Sequence, residues 1–199
     1  EKKMLLGSHV GMSGKEIAEK AFQSKAIFDE YRQESIFHTN YSNDLFKEAN
    51  ESYAVNFPGT FQHSIDIRKV RNFPKADLVI GGFPCPGYSA GGKRLIDDER
   101  NFLYLHFIRC IMQSQPEVFV AENVKGILSM GKGKVINMIV NDFEKLGYKV
   151  DYKLLNAAEY GIPQMRERVI IIGNRIGLQN PYPTVTHYID KPIDGLKAA

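Results

Sequence analysis

Residues 81–89, GGFPCPGYS, set a cysteine between two prolines directly after the apolar run Leu78, Val79, Ile80. Pro84 and Pro86 fix the backbone on either side of Cys85, and the surrounding glycines let another backbone or a ligand approach closely. The product is a rigid thiol just beyond a strand end, the position where open α/β sheets bind their ligands. Two further polar clusters have comparable placement. Glu122 and Asn123 follow the β-rich run VFVA, and Gln164, Arg166 and Arg168 alternate in IPQMRERVIII ahead of another such run. An extended backbone would aim those three side chains at one face. A thiol, a carboxylate and a guanidinium group could then converge. Each has a plainer reading: Cys85 as a small buried cap, Glu122 as a helix-start acid, the arginines as a solvated strand edge beside Glu167. Cys110 lies within an apolar helical stretch and reads as structural.

The elements that must position these groups alternate. Residues 35–39, 78–82, 118–121, 148–155 and 169–173 read as strands. Residues 134–146 carry Val135, Ile139, Phe143 and Leu146 at helical spacing, with Gly147 as a left-handed stop. Residues 101–115 are apolar on nearly every face and end before Pro116, which predicts a well-buried helix. Strands alternating with helices imply an α/β fold with an open, mostly parallel sheet covered on both faces. Past Gly173 the periodicity dissolves, so residues 1–173 read as one domain and 174–199 as a linker.

The totals narrow the setting. In 199 residues there are only two cysteines, without paired spacing, which argues against a disulfide framework and for a reducing compartment. No apolar run could span a bilayer and the start does not resemble a signal peptide, so the expected location is cytoplasmic, or nuclear in a eukaryote, with no membrane partner. Five histidines without ligand spacing predict no metal site. The residues 131–134, GKGK, lack the spacing of a phosphate loop. A formal charge of +3 suits a nucleic-acid partner without requiring one.

Three segments in order, FPCPGYS, AENVKG and YGIPQMRERVIIIG, resemble the motifs of the cytosine-C5 DNA methyltransferases. NDLFKEANESYAVNFPG, SIDI, DDERNFLY and PTVTH are similar to further parts of that family's catalytic domain, so the resemblance covers about residues 43–187. It implies the doubly wound, mostly parallel sheet of the S-adenosylmethionine-dependent methyltransferase (Rossmann-like) type. It also implies methyl transfer from S-adenosylmethionine to C5 of a cytosine flipped out of double-stranded DNA, as in restriction-modification. Cys85 would attack C6, Glu122 would hydrogen-bond N3 and the exocyclic amine, and Arg168 would bind O2. Gly11, Asp44, Leu45, Asp66, Ile67, Pro84 and Leu103 fall where the family binds cofactor. Ser89, Lys93, Arg94, Gln164 and Arg166 fall where it meets nucleic acid. For Asp44 the residues also allow a plain helix cap.

The sequence departs from the family in two places. The opening glycine turn is represented by His9-Val10-Gly11-Met12-Ser13-Gly14, and Gly11 precedes Asp44 by about a dozen residues more than the ~20 expected of a nucleotide-binding sheet. The target-recognition domain and the last motif are expected outside this chain, on a C-terminal segment or a second chain. Alternative readings are the tRNA-methylating branch of the family, a non-catalytic cofactor- or nucleic-acid-binding remnant, and a cysteine hydrolase pairing Cys85 with His106. That last reading has no orienting acid to support it.

Overall fold

The computed structural model describes residues 37–84 and 103–187. Cys85, Ser89, Lys93, Arg94 and Gly11 lie outside the described residues. In chain order the elements are β1 (Tyr41–Asn43), α1 (Lys47–Asn56), β2 (Phe61–His63), β3 (Leu78–Gly82), α2 (Leu103–Ser114), β4 (Val118–Val124), α3 (Lys134–Glu144), β5 (Lys149–Asn156) and β6 (Glu167–Asn174). The fold is α/β and Rossmann-like. β1 and β2 pair in parallel, and a four-stranded sheet runs in the order β3-β4-β6-β5.

β3 and β4 are parallel, whereas β6 is antiparallel to both β4 and β5. Parallel neighbours need a long crossover, which α2 supplies between β3 and β4. Only a 3₁₀ turn, Ala157–Tyr160, and a short loop join β5 to β6, so that pair must be antiparallel. The mostly parallel sheet inferred from the alternation therefore carries one reversed strand.

Period-2 alternation divides the sheet into two faces. Phe119, Ala121 and Asn123 of β4 and Val169, Ile171 and Gly173 of β6 are buried on one face. Against this face pack Phe107 and Ile111 of α2 and Ile136, Ile139 and Phe143 of α3. The rings of Phe119 and Phe143 have centroids 4.4 Å apart. Gly173 lies opposite Phe119, and any Cβ there would be driven into the Phe119 ring. The other face presents Glu122 of β4 and Arg168, Ile170 and Ile172 of β6.

Residues beyond β6 return across that second face as a strap. Asn180, 5% exposed, donates to the carbonyls of Ile172 (3.0 Å) and Lys149 (3.3 Å) and to Asp151 (3.1 Å). The Tyr182 hydroxyl donates to Asp151 Oδ1 at 2.6 Å; burial and that carboxylate push its pKa well up. The strap ends where the Thr186 and His187 amides both donate to the Glu159 carbonyl.

Three local expectations change. Of the strand read at residues 35–39, the first two lie outside the described residues and 37–39 are not in a strand; the strand forms at Tyr41–Asn43, where Phe61–His63 pairs and Tyr41 stacks on Phe61 at 6.0 Å. The run read at 118–121 continues to Val124, since its ladder to β6 extends that far. α2 is one-sided rather than buried all round: Tyr104, Phe107 and Ile111 are buried, but Leu105 and Met112 are exposed. It stops as expected, with Gln115 in the left-handed region (φ 51°) before Pro116. α3 also ends as expected, with Gly147 at φ 87°.

Candidate active site

Glu122 sits at the last rung of the β3–β4 ladder, opposite Gly82 of β3 and Ile170 of β6. Arg168 lies one rung diagonally from it on the same face. Its Nε is 2.5 Å from Glu122 Oε1, and its Nη1 donates to the Glu167 carbonyl at 2.9 Å. The side chains remain 45% (Glu122) and 27% (Arg168) exposed, so both charges stay within reach of a ligand. The Glu122 carboxylate lies close against the β3 end, its Oε2 3.4 Å from where a Cβ on Gly82 would stand. The helix-start role weighed for Glu122 does not apply, because the residue is in a strand paired on both sides.

The β3 end is anchored by Phe83, which is buried with its ring 6.2 Å from Tyr104 and 5.9 Å from Phe107. Its carbonyl accepts a hydrogen bond from Asn123 Nδ2 at 3.0 Å. Pro84 follows, exposed, on the way to Cys85. Cys110 behaves as the structural cysteine: Sγ is 3.9 Å from Ser114 Oγ, and burial pushes its pKa up.

Gln164 and Arg166 are exposed, but they precede β6 rather than alternate along it. The Gln164 amide turns back to the Ile162 carbonyl at 2.7 Å, and the Arg166 carbonyl accepts from the Ala157 amide at 2.9 Å. Of the three polar residues read as one extended row, only Arg168 is in the strand. Glu167 leaves the cluster for Lys125, with Oε2 2.7 Å from Nζ.

A second polar edge forms at the ends of β1 and β2. Asn43 Nδ2 donates to the carbonyls of His63 (2.7 Å) and Ile65 (2.9 Å), tying the two strand ends together. Asp44 is exposed, and its Oδ1 accepts from the Phe46 amide at 2.8 Å in a turn ahead of α1; the helix cap weighed for it is not made, since Phe46 holds the N-cap position without a side-chain cap. Beside it Leu45 and Phe46 are 62% and 68% exposed. Asp66 accepts from Arg68, which lowers its pKa to about 2. Ile67 and Val70 offer their carbonyls to Arg109 of α2, at 2.6 Å for Ile67, so this edge is laced to the helix. Leu103 begins that helix, half-buried. His106 lies near Arg109, Asp66 and Arg68, and its pKa is lowered chiefly by burial. The nearby acid, Asp66, is already committed to Arg68, so among the described residues no free carboxylate stands beside His106 to orient a hydrolytic Cys–His pair.

Residues 13–195 match the family described as C-5 cytosine-specific DNA methylase. The chain belongs to this family. The chain is 60% identical over 177 residues to the Type II methyltransferase M.BsuRI of Bacillus subtilis, covering 87% of this chain and 41% of that protein. Identity is 56% over 177 residues with M.BspRI of Lysinibacillus sphaericus, covering 87% and 42%. The chain thus spans less than half the length of these curated relatives. Among solved structures, a DNA modification methyltransferase encoded within an E. coli prophage superposes with TM-score 0.59 at 31% identity, over 70% of this chain and 40% of that one. Spodoptera frugiperda DNMT2, in a mutant form, gives TM-score 0.55 at 25% identity, over 72% and 44%.

Within this methylase family frame, the structure brings Glu122 and Arg168 into direct contact and sets Asp44, Leu45, Asp66 and Ile67 at the ends of one strand pair. Sequence reading passed over Asn43 as a clamp and gave Asn123 no task. Polar residues at strand ends were the available signal, yet an amide's partner lies across the sheet and is invisible locally. Among the described residues, no three His, Cys, Asp or Glu side chains group to hold a metal ion. No described helix is long and apolar enough to cross a membrane.

Proposed function

We propose that this domain methylates C5 of cytosine in DNA, within a Type II modification enzyme, through a covalent adduct on Cys85. The observation that carries the reading is the Glu122–Arg168 pair, half-open and adjacent to the strand end that leads through Pro84 to Cys85. Exposed ion pairs contribute only about 0–1 kcal/mol to stability, so fold stability alone gives little reason for this one. A carboxylate and a guanidinium side by side present acceptors and donors matched to one edge of a cytosine ring.

C5 of cytosine is a poor nucleophile until electron density is pushed onto it. The Cys85 thiolate adds to C6 while the Glu122 carboxyl gives a proton to N3 and accepts from the exocyclic amine, so that the charge entering the ring is neutralised. Arg168 would hold O2 and is the candidate cation to favour the thiolate. After transfer, the C5 proton passes to solvent water, the C6–S bond breaks to restore the Cys85 thiolate and the ring double bond, and the N3 proton returns to Glu122. S-adenosylmethionine supplies the methyl group when bound. The β1–β2 edge fits it: Asp44 would offer a carboxylate to ribose hydroxyls and exposed Leu45 an apolar platform for adenine, Asp66 and Ile67 would hold the adenine and Leu103 the methionine, and Pro84 would also line the pocket. Gly11 would complete this edge, while Gln164, Arg166, Ser89, Lys93 and Arg94 would meet the DNA backbone around the flipped base.

The deciding experiment is trapping on duplex DNA carrying 5-fluorocytosine, with the protein in full-length form. A covalent species that requires S-adenosylmethionine and disappears in Cys85→Ser is the expected result. An adduct that survives that substitution would remove Cys85 from the mechanism.

A further inference from the structure

Asn123 adjoins Glu122 on β4 but points to the opposite face, where it is 3% exposed. Its Nδ2 donates to the Phe83 carbonyl at 3.0 Å, and its Oδ1 accepts from the Val124 amide at 2.9 Å. The β3–β4 ladder ends at the Gly82–Glu122 rung, so the Phe83 carbonyl lies one residue past the last backbone pair. A buried carbonyl left without a donor is costly, and here a side chain extends the ladder by one rung. Phe83 is held from its other end as well, its ring buried against Tyr104 and Phe107. Both halves of the residue two positions before Cys85 are therefore immobilised, and Pro84, with its φ restricted by the ring, connects the two.

We propose that Asn123 is a positioning residue for Cys85: its amide sets where the strand-end loop leaves the sheet and thus the direction from which the thiol meets C6. The proposal rests on the reading of Cys85 as the nucleophile. It gives neighbouring residues of one strand complementary tasks, with Glu122 addressing the base from one face and Asn123 holding the nucleophile's loop from the other. A merely structural amide would instead affect stability, and chemistry only in proportion.

The test uses the full-length form and single-turnover adduct formation on 5-fluorocytosine DNA, with S-adenosylhomocysteine affinity and melting temperature measured alongside. Asn123→Asp keeps the shape and the acceptor for Val124 but has no proton for the Phe83 carbonyl at neutral pH. Asn123→Ser is neutral and too short to reach it. Both should slow adduct formation on the order of 10²-fold, the cost of misplacing reacting groups by about 1 Å, while S-adenosylhomocysteine affinity is retained. On acidification Asn123→Asp should recover relative to the unsubstituted protein, because a protonated carboxyl can donate. Adduct formation at the unsubstituted rate in either folded variant overturns the proposal, as does loss of S-adenosylhomocysteine binding in both. Cys85→Ser run in parallel separates the two ideas. If it still forms the adduct, the nucleophile reading fails and the proposal with it; if it forms none while the Asn123 variants react normally, only the proposal fails.

Discussion

Glu122 and Arg168 stand in strands of seven and eight residues, paired along their lengths and backed by the aromatic core of Phe107, Phe119 and Phe143. The proposed cofactor edge rests on two strands of three residues each, with Leu45, Phe46 and Phe61 exposed. There, side-chain amides and a guanidinium do the holding: Asn43 across the strand ends, Asn50 onto the Asp44 carbonyl at 3.0 Å, Arg109 onto Ile67 and Val70. The first region takes its geometry from a ladder that many residues share. The second takes it from a few individual hydrogen bonds, so single substitutions should act on it more locally. Chemistry and cofactor affinity should therefore be separable by mutation.

The largest effect should come at the ladder's functional end. Glu122→Gln and Arg168→Ala should each lower turnover on the order of 10²–10⁴-fold, the range for groups that assist proton and charge movement in a transition state. Their melting temperatures should hardly move, since the pair is half-exposed. A large fall in melting temperature would make them structural and erase the contrast. Behind the ladder, Phe119→Ala should cost about 3–5 kcal/mol in denaturant unfolding, as large buried aromatics do. Here turnover and cofactor binding should decline together, and a change confined to one would show that the shared core does not support both edges.

A smaller, local effect is expected at Asn43→Ala, which removes two donors from the β1–β2 end at a cost of about 1–3 kcal/mol. Calorimetric titration with S-adenosylhomocysteine should show weaker binding, while thiol alkylation at Cys85 stays unchanged; equal loss of both would merge the two regions into one. The smallest effect concerns pH. Arg68 holds the Asp66 pKa at about 2, below its unfolded value near 3.9, so this carboxylate stabilises the fold fully above the unfolded value. That contribution fades as pH falls through the interval down to about 2. For a pair so near the surface it amounts to no more than about 1 kcal/mol. Asp66→Asn should flatten the acid limb of the melting-temperature profile in that window. An unaltered acid limb would show that the pair contributes nothing to the edge.

Much of the candidate site could be read before folding. The apolar run before Cys85, the β-rich run before Glu122 and the helix stop at Gly147 are local patterns, encoded in residue type and periodicity within a few positions. So the sequence by itself determined the α/β class and the order of the motifs, and it marked Glu122 and Arg168 as groups worth bringing together. Tertiary structure alone decided that β6 runs backwards between β4 and β5, which puts Arg168 one diagonal rung from Glu122. It also decided that Gln164 and Arg166 fall ahead of β6, outside that row, that Gly173 makes way for Phe119, and that Asn43 and Asn123 find carbonyls 20 and 40 residues away. The reason is physical: a side chain's face follows from its own strand's two-residue period, but its partner follows from strand order and register. Those are set only when distant segments compete to bury one core and to satisfy every backbone group within it.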